Sequence, residues 1–278
     1  MIIGVVGAGT MGAGIAEVFA RTEGYTAKLA DISREHAEKG RNRVLAGLDK
    51  RVAKGSATQA QRDAVAASLV VADVAELGDA DLIVEAVLET MTIKRPLFEQ
   101  LDALAKEGAI LASNTSSLSI TELARGLGHA VGGMHFFNPA PVMKLVEVTA
   151  GASTTEETVA TITQIAEAVG KTPVRVEEAA GFVVNRILVP MINEAVGVLA
   201  DGVASAADID EAMKLGANHP IGPLALGDLI GLDVTLAIME VLQAETGDPK
   251  YRAHPLLRKY VRAGWLGRKT GRGFFQYA

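Results

Sequence analysis

Two residues near the middle of the chain have the types and the spacing of an acid–base couple. His135 lies in an apolar stretch, residues 132–151, and Glu147 follows it twelve residues later. A neutral imidazole held by a carboxylate at one nitrogen exchanges a proton with a substrate oxygen at the other. The alternative is that His135, which precedes Phe136 and Phe137, is a histidine of the core. The residues around the pair do not decide between these interpretations.

The position of the pair depends on two predicted strands, 130–134 and 144–148, joined by a turn that contains Asn138, Pro139 and Pro141. His135 falls at the carboxyl end of the first strand, which is the edge where open α/β sheets bind ligands. Two strands joined by such a turn would bring the Glu147 carboxylate to the imidazole. The carboxylate would then fix the tautomer of the ring and stabilise the imidazolium that forms.

The amino-terminal stretch contains the spacing G-x-G-x-x-G, directly after a predicted strand and directly before an amphipathic helix. In this context the glycines permit a tight turn, close approach to a pyrophosphate and packing of helix on strand. Asp31 ends the next strand, 19 residues after the last glycine, where a carboxylate binds ribose hydroxyls and repels a 2′-phosphate. The predicted cofactor is therefore NAD. The motif residues assigned to it are Gly7, Gly9, Thr10, Met11 and Gly12.

A dinucleotide site favours the catalytic interpretation of the histidine, because hydride loss from an alcohol carbon requires removal of the hydroxyl proton. Asn114 and Ser116 follow the strand 109–113, where a nicotinamide and a substrate oxygen would lie, and Ser116 is predicted to be functional. Ser119 and Glu122 instead have the spacing of a helix capping box. Asn185 lies in an apolar helix, where a buried amide needs a structural or a catalytic partner.

The elements that must position these residues change in type along the chain. Strands alternate with helices at first, which predicts an α/β fold with a mainly parallel, doubly wound sheet of Rossmann type. From about residue 180 the strand patterns disappear and the segments 181–201, 205–216, 223–247 and 254–264 are helical. We therefore predict a nucleotide-binding domain over residues 1–180 and an all-α domain over residues 181–278. The predicted strands are 2–6, 26–31, 68–72, 81–87, 109–113, 130–134 and 144–148.

Composition excludes several classes of protein. The net charge of −6 argues against a nucleic-acid partner, because phosphate backbones require a basic surface. The chain has no cysteine and no metal-ligand cluster, so thiolate chemistry is excluded and no metal is predicted, and a cytoplasmic location fits best. The apolar segment 181–202 carries Asn185, Arg186, Asn193 and Glu194, which favours a buried helix over a membrane span.

One segment, residues 33–55, is locally basic, with seven lysines and arginines against three acidic residues. Lys50 and Lys54 are candidates for binding the phosphate groups of a ligand. A solvated helix face is the alternative.

The chain also resembles the 3-hydroxyacyl-CoA dehydrogenase family from end to end, and most closely its short bacterial 3-hydroxybutyryl-CoA members. The motifs that carry the resemblance are GAGTMGAGIA, LIVEAVLETMTIK, ASNTSSLSIT, MHFFNPAPVMKLVEV, GFVVNR, AMKLGANHPIGPLALGDLIGLD and GWLGRKTGRGFFQY.

The resemblance implies a Rossmann-type domain followed by a helical domain that dimerises. It also implies His135 and Glu147 as the catalytic pair and Ser116 and Asn185 as the contacts to the substrate oxygen. The residues that match the nucleotide-site positions of the family are Asp31, Glu89, Lys94, Asn138 and Lys269.

We therefore expect a reversible NAD-dependent dehydrogenase of short (3S)-3-hydroxyacyl-CoA thioesters, interconverting 3-hydroxybutyryl-CoA and acetoacetyl-CoA. The thioester and the stereochemistry rest on the resemblance. The alternatives are a dehydrogenase of small hydroxy acids or sugar acids, and a nucleotide-binding protein without turnover. The motifs leave acyl chain length and physiological direction open. The helices after residue 180 carry more apolar surface than one layer of helices can bury. This surplus predicts a homodimer through the helical domain.

Overall fold

The structure is a computed structural model, and it describes residues 1–277. The chain divides into two compact units, Met1–Glu178 and Ala179–Ala278. The first unit is α/β and the second is helical, so the predicted fold class is confirmed.

The first unit contains one eight-stranded sheet with the strand order β3-β2-β1-β4-β5-β6-β7-β8. All neighbouring strands are parallel except β6 and β7, which are antiparallel. The carboxyl ends of the first six strands in the chain therefore lie at one edge of the sheet. The strands are β1 (Ile2–Val6), β2 (Thr26–Ala30), β3 (Leu69–Val71), β4 (Leu82–Glu85), β5 (Ile110–Ser113), β6 (Ala130–Phe136), β7 (Leu145–Ala150) and β8 (Thr172–Glu177).

Helices cover both faces of this sheet because successive strand residues point to opposite sides. Ile3 and Val5 pack with one set of helices, whereas Val6 packs with the other set. The helices α1, α2, α3 and α6 contribute to the first core and α4 and α5 to the second. The helices of this unit are α1 (Thr10–Ala20), α2 (Arg34–Ala53), α3 (Gln59–Ser68), α4 (Met91–Leu104), α5 (Ile120–Ala124) and α6 (Glu156–Ala168).

The second unit has its own core, in which Val189, Leu224, Met239 and Leu257 are fully buried. Its helices are α7 (Val184–Ala200), α8 (Ala206–Ala217), α9 (Pro223–Ile230), α10 (Leu232–Thr246) and α11 (Pro255–Arg262). No helix within residues 1–277 has the length and the apolar character needed to cross a bilayer.

The structure corrects the sequence analysis at two elements. β8 was not predicted; it pairs in parallel with β7 at the sheet edge and buries few of its residues. The predicted helix 223–247 is two helices, because Gly231 has a φ of 106°, a conformation that a helix interior does not contain.

Candidate active site

The loop after β1 has the close backbone contacts that only glycine permits. Gly7 has a φ of 101°, and a Cβ added there would lie 2.5 Å from the carbonyl oxygen of Ala86. A Cβ added at Gly12 would lie 1.7 Å from the carbonyl oxygen of Gly7, so α1 can approach the strand only with glycine at this position. At Gly9 an added Cβ would meet nothing within 4 Å. The loop is therefore tightly packed beneath and open above Gly9.

These features fit a dinucleotide. Gly9 is the N-cap of α1 and, among the described side chains, none caps this helix end. Its amide groups and the positive end of the helix dipole therefore point towards the open space above Gly9, as a bound pyrophosphate requires. Thr10, the first residue of α1, is exposed, whereas Met11 is partly buried against the core.

Asp31 follows β2 directly and its carboxylate faces the glycine loop. One carboxylate oxygen accepts from the backbone N–H of Ala8 at 2.5 Å, and the other accepts from that of Ile32 at 2.7 Å. The two cations near this strand are already paired with carboxylates: Lys28 Nζ lies 2.7 Å from Asp79, and Arg34 bonds to Asp73 and Glu76. The arrangement provides a carboxylate for ribose and no unpaired lysine or arginine at positions 28 and 34 for a 2′-phosphate.

His135 and Glu147 are brought together by strand register. In the antiparallel pairing of β6 with β7 they stand directly opposite each other. The Nδ1 atom of His135 lies 2.7 Å from Oε2 of Glu147, and both side chains are buried. The ring of Phe137 lies 4.4 Å from the imidazole, measured between centroids. The result is an imidazole with its Nδ1 held by a carboxylate, near the carboxyl edge of the sheet.

The loop after β5 is held by a carboxylate from the loop after β4. Oε1 of Glu89 accepts from Thr115 Oγ1 at 2.6 Å, and from the backbone N–H and hydroxyl of Ser116 at 2.7 and 3.1 Å. Asn114 Oδ1 accepts from the backbone N–H of Phe136 at 2.8 Å. Asn114 and Ser116 are therefore fixed at the carboxyl edge, and Asn114 is bonded directly to the strand that carries His135.

Glu89 belongs to a charged cluster with Lys94 and Glu85, and Glu85 is not among the residues predicted from the sequence. Lys94 Nζ lies 2.5 Å from Glu85 Oε1 and 3.1 Å from Glu89 Oε2, and both Lys94 and Glu85 are buried. Glu85 also accepts from Ser113 Oγ at 2.6 Å and from the backbone N–H of Val87 at 2.7 Å. A glutamate ending the apolar strand LIVE was the available signal.

Burial raises the pKa of Glu89, but the Lys94 ammonium and the hydrogen bonds from Thr115 and Ser116 outweigh it. The net effect is that the pKa of Glu89 is lowered. Glu89 is therefore ionised at neutral pH and remains an acceptor for the Ser116 loop. Glu89 supports that loop directly and Lys94 supports it through Glu89, whereas the nucleotide-site role that the resemblance implies for both residues stays a prediction.

The remaining predicted site residues are more exposed or lie in the second unit. Asn138 is exposed in the loop between β6 and β7, and Lys50 and Lys54 are exposed towards the end of α2. Asn185 is half-buried in the first turn of α7. Lys269 is exposed and forms an ion pair of 2.6 Å with Asp233 of its own unit.

Ser119 caps α5 by accepting from the N–H of Glu122, as the sequence predicts. Its own hydroxyl donates to Glu178 at 2.5 Å. Ser119 is therefore a structural residue that links α5 to the end of β8. Within residues 1–277, no group of three or more histidine, aspartate or glutamate side chains is arranged to hold a metal ion.

Comparison with known proteins identifies the family of the chain. Residues 2–179 match the family model described as the NAD binding domain of 3-hydroxyacyl-CoA dehydrogenase, and residues 181–277 match that of its C-terminal domain. A 3-hydroxybutyryl-CoA dehydrogenase of Clostridioides difficile is 53% identical over 100% of this chain and 99% of its own length. The human mitochondrial hydroxyacyl-coenzyme A dehydrogenase is 40% identical over 98% of this chain and 90% of its own length.

A crystal structure of another 3-hydroxybutyryl-CoA dehydrogenase is similar to this chain over its whole length. The crystal structure of (S)-3-hydroxybutyryl-CoA dehydrogenase from Ralstonia eutropha has a TM-score of 0.94 and 48% identity, and the match covers 100% of this chain and 99% of the other. The glycine loop, the carboxylate after β2 and the paired histidine lie within the matched nucleotide-binding domain. The chain therefore belongs to the NAD-dependent 3-hydroxyacyl-CoA dehydrogenase family.

Proposed function

We propose that the chain catalyses the reversible oxidation of (3S)-3-hydroxyacyl-CoA to 3-oxoacyl-CoA with NAD, acting on short chains such as 3-hydroxybutyryl-CoA. The observation that carries the proposal is the buried bond of 2.7 Å between His135 and Glu147, in the same sheet whose carboxyl edge bears the dinucleotide loop. The names of relatives 45–53% identical to this chain support the four-carbon substrate.

Gly7, Gly9, Gly12 and the first turn of α1 would bind the pyrophosphate through backbone amides, and Asp31 would bind ribose. Bound NAD would supply the acceptor for the hydride from C3 of the substrate, and NADH would supply the donor in the reverse direction. Asp31 also bonds to Ala8 N, so the carboxylate that selects the ribose fixes the glycine loop at the same time.

His135 would remove the hydroxyl proton as the hydride leaves and would return it when the ketone is reduced. The proton is exchanged at Nε2, because Glu147 holds Nδ1. The buried carboxylate stabilises the imidazolium that forms during oxidation and keeps the ring in one orientation. General acid–base catalysis of this kind contributes roughly 10²–10⁴-fold to the rate.

The Ser116 hydroxyl would contact the substrate oxygen from the loop that Glu89 fixes, and Asn114 would lie beside the nicotinamide. The Asn185 amide is proposed as a second contact to the substrate oxygen. Asn138 and Lys269 are proposed at the nucleotide site. Lys50 and Lys54 would bind coenzyme A phosphates; both are exposed on a basic helix, whereas Arg51 beside them pairs with Glu17.

We also propose that the second unit forms a homodimer. Four large apolar residues on its surface are between 49 and 78% exposed, and they supply apolar area that a second copy of the chain would cover. They are Ile187, Val203, Leu215 and Leu229. Light scattering at micromolar concentration should give twice the mass of the 29.0 kDa chain, and the mass of one chain would contradict the dimer.

The activity is tested by following NADH oxidation with acetoacetyl-CoA and, in parallel, with free acetoacetate. Turnover of the thioester alone is expected. Faster turnover of the free acid would support the hydroxy-acid alternative, and no turnover of either compound would contradict the proposal. A panel of 3-oxoacyl-CoA thioesters of increasing length then defines the chain-length preference.

A further inference from the structure

The loop 137–144, which joins β6 to β7, is held by two cationic side chains. Lys171 Nζ donates to the carbonyl oxygens of Ala140 at 2.6 Å and Met143 at 2.8 Å. Arg21, at the end of α1, donates to the carbonyl oxygen of Pro141 at 3.0 Å. Buried carbonyl groups need a hydrogen-bond partner, and in this loop side chains supply what a neighbouring strand would supply elsewhere.

Lys171 is unusually buried for a lysine, because only 7% of the residue is exposed. Its bonds go to neutral carbonyl groups, and the nearby charged group that affects it is another cation. Burial, and then the charge of Arg21 from α1, lower the pKa of Lys171 to about 8. Burying an ammonium group in this way costs free energy, which indicates that the contacts it makes in the loop offset that cost.

The loop connects the two parts of the proposed active site. It begins two residues after His135 and ends three residues before Glu147. It also packs on α1 at Gly14, where an added Cβ would lie 3.3 Å from both Ala140 Cβ and Pro141 Cδ. The end of the hairpin and the nucleotide-binding helix are therefore in contact through this loop.

We infer that Lys171 is a positioning residue, which pins the loop 137–144 through two carbonyl groups and so holds His135 in its catalytic orientation. The inference rests on the proposed function, in which His135 exchanges the proton. Lys171 acts only through the loop and the strand end, because its contacts are with backbone atoms of Ala140 and Met143.

The test replaces Lys171 by methionine, which keeps most of the unbranched apolar side chain and removes its donors. A displacement of a catalytic group by about 1 Å costs up to about 100-fold in rate, so kcat for acetoacetyl-CoA should fall by about 10- to 100-fold. Lys171→Gln retains a shorter neutral donor and should lie between methionine and the wild type. KM for acetoacetyl-CoA should change much less than kcat.

Arg41 provides a matched control at the opposite edge of the sheet, next to β3. It also donates to two carbonyl oxygens, those of Leu69 at 2.8 Å and Ala66 at 2.9 Å, next to the edge strand β3. Arg41→Met should lose stability, as Lys171→Met also should, because each change removes two hydrogen bonds, but Arg41→Met should keep the wild-type kcat. If kcat falls equally in both variants, or in neither, Lys171 has no special role in positioning.

A second measurement separates this inference from the proposed function. The ring ¹H–¹³C NMR resonance of His135, assigned by its loss in His135→Gln, should move in Lys171→Met and Lys171→Gln and stay in place in Arg41→Met. An unchanged resonance in the Lys171 variants would overturn the inference even if the chain is active. A wild-type protein without turnover would contradict the proposed function and leave this comparison decisive for Lys171.

Discussion

The sharpest test of the proposed chemistry is to neutralise Glu147 while keeping its shape. Glu147→Gln leaves an amide opposite Nδ1 of His135, at a site where the two side chains are 1% and 7% exposed. A hydrogen bond to a charged group is worth about 1.5–3 kcal/mol, and each 1.4 kcal/mol is about tenfold in rate. We therefore expect kcat to fall by roughly 10- to 150-fold.

A larger loss has a structural explanation. The side-chain NH₂ group that Glu147→Gln introduces can donate to Nδ1 of His135, and this would place the remaining ring proton on Nε2. An imidazole in that tautomer cannot accept a proton from the substrate hydroxyl. In a serine protease the corresponding Asp→Asn change lowers kcat by about 10⁴-fold for this reason.

The assay is steady-state NADH oxidation with acetoacetyl-CoA for Glu147→Gln, His135→Gln and the double variant. His135→Gln should lose about 10²–10⁴-fold in kcat, and the double variant should lose little more than the worse single one, because the two residues act as one unit. NADH affinity should stay near the wild type, since the glycine loop is untouched. A double variant that loses the product of both effects, or a His135→Gln enzyme that keeps more than about a tenth of kcat, would refute the reasoning.

Three further predictions follow from other contacts. The wild-type chain should have a higher kcat/KM for NADH than for NADPH, and Asp31→Asn should narrow the preference; equal or better use of NADPH by the wild type would contradict the role of Asp31. Gly40→Ala should raise KM for NADH and lower the melting temperature, because its Cβ would lie 2.8 Å from the carbonyl oxygen of Ala8, whereas Gly47→Ala in the same helix meets nothing within 4 Å and should not. Burial holds the pKa of Lys171 at about 8 against an ordinary 10.5, so the unfolded chain binds this proton more tightly between those values. The contribution of Lys171 to the free energy of unfolding should therefore rise as the pH goes from about 8 to about 10.5. Urea denaturation of the wild type and of Lys171→Met at these two pH values should show a steeper rise of the free energy of unfolding with pH in the wild type.

Features that are local in sequence were predictable. The strands β1 to β7 show as apolar runs bounded by turn residues, and the glycine loop has its complete context of strand, turn, helix and acidic residue. The acid–base pair was accessible for the same reason, since its two strands are joined by one short turn. β8 lacked this signal, because an edge strand that buries little of its surface has no continuous apolar run.

Features that depend on distant partners were not predictable. Glu89 accepts hydrogen bonds from Thr115 and Ser116, which are 26 and 27 residues away, and the sequence around Glu89 does not show these partners. Lys171 bonds to carbonyl groups 28 and 31 residues away. The break between α9 and α10 depends on Gly231, and a glycine within an apolar helical pattern does not reveal its φ angle. In each case the sequence shows the residue type, and only the fold shows the partner.

The hairpin that pairs His135 with Glu147 also bears on the order in which the site assembles during folding. The two residues are 12 apart in the chain, whereas Ala8 and Asp31 are 23 apart and Glu89 and Ser116 are 27 apart. A hairpin closes within about 1–10 μs, and parallel pairing through crossover helices is slower because a longer loop must be ordered first. We therefore expect the pair of His135 and Glu147 to form early. The glycine loop and its contact with Asp31 should form later, when the parallel strands pair.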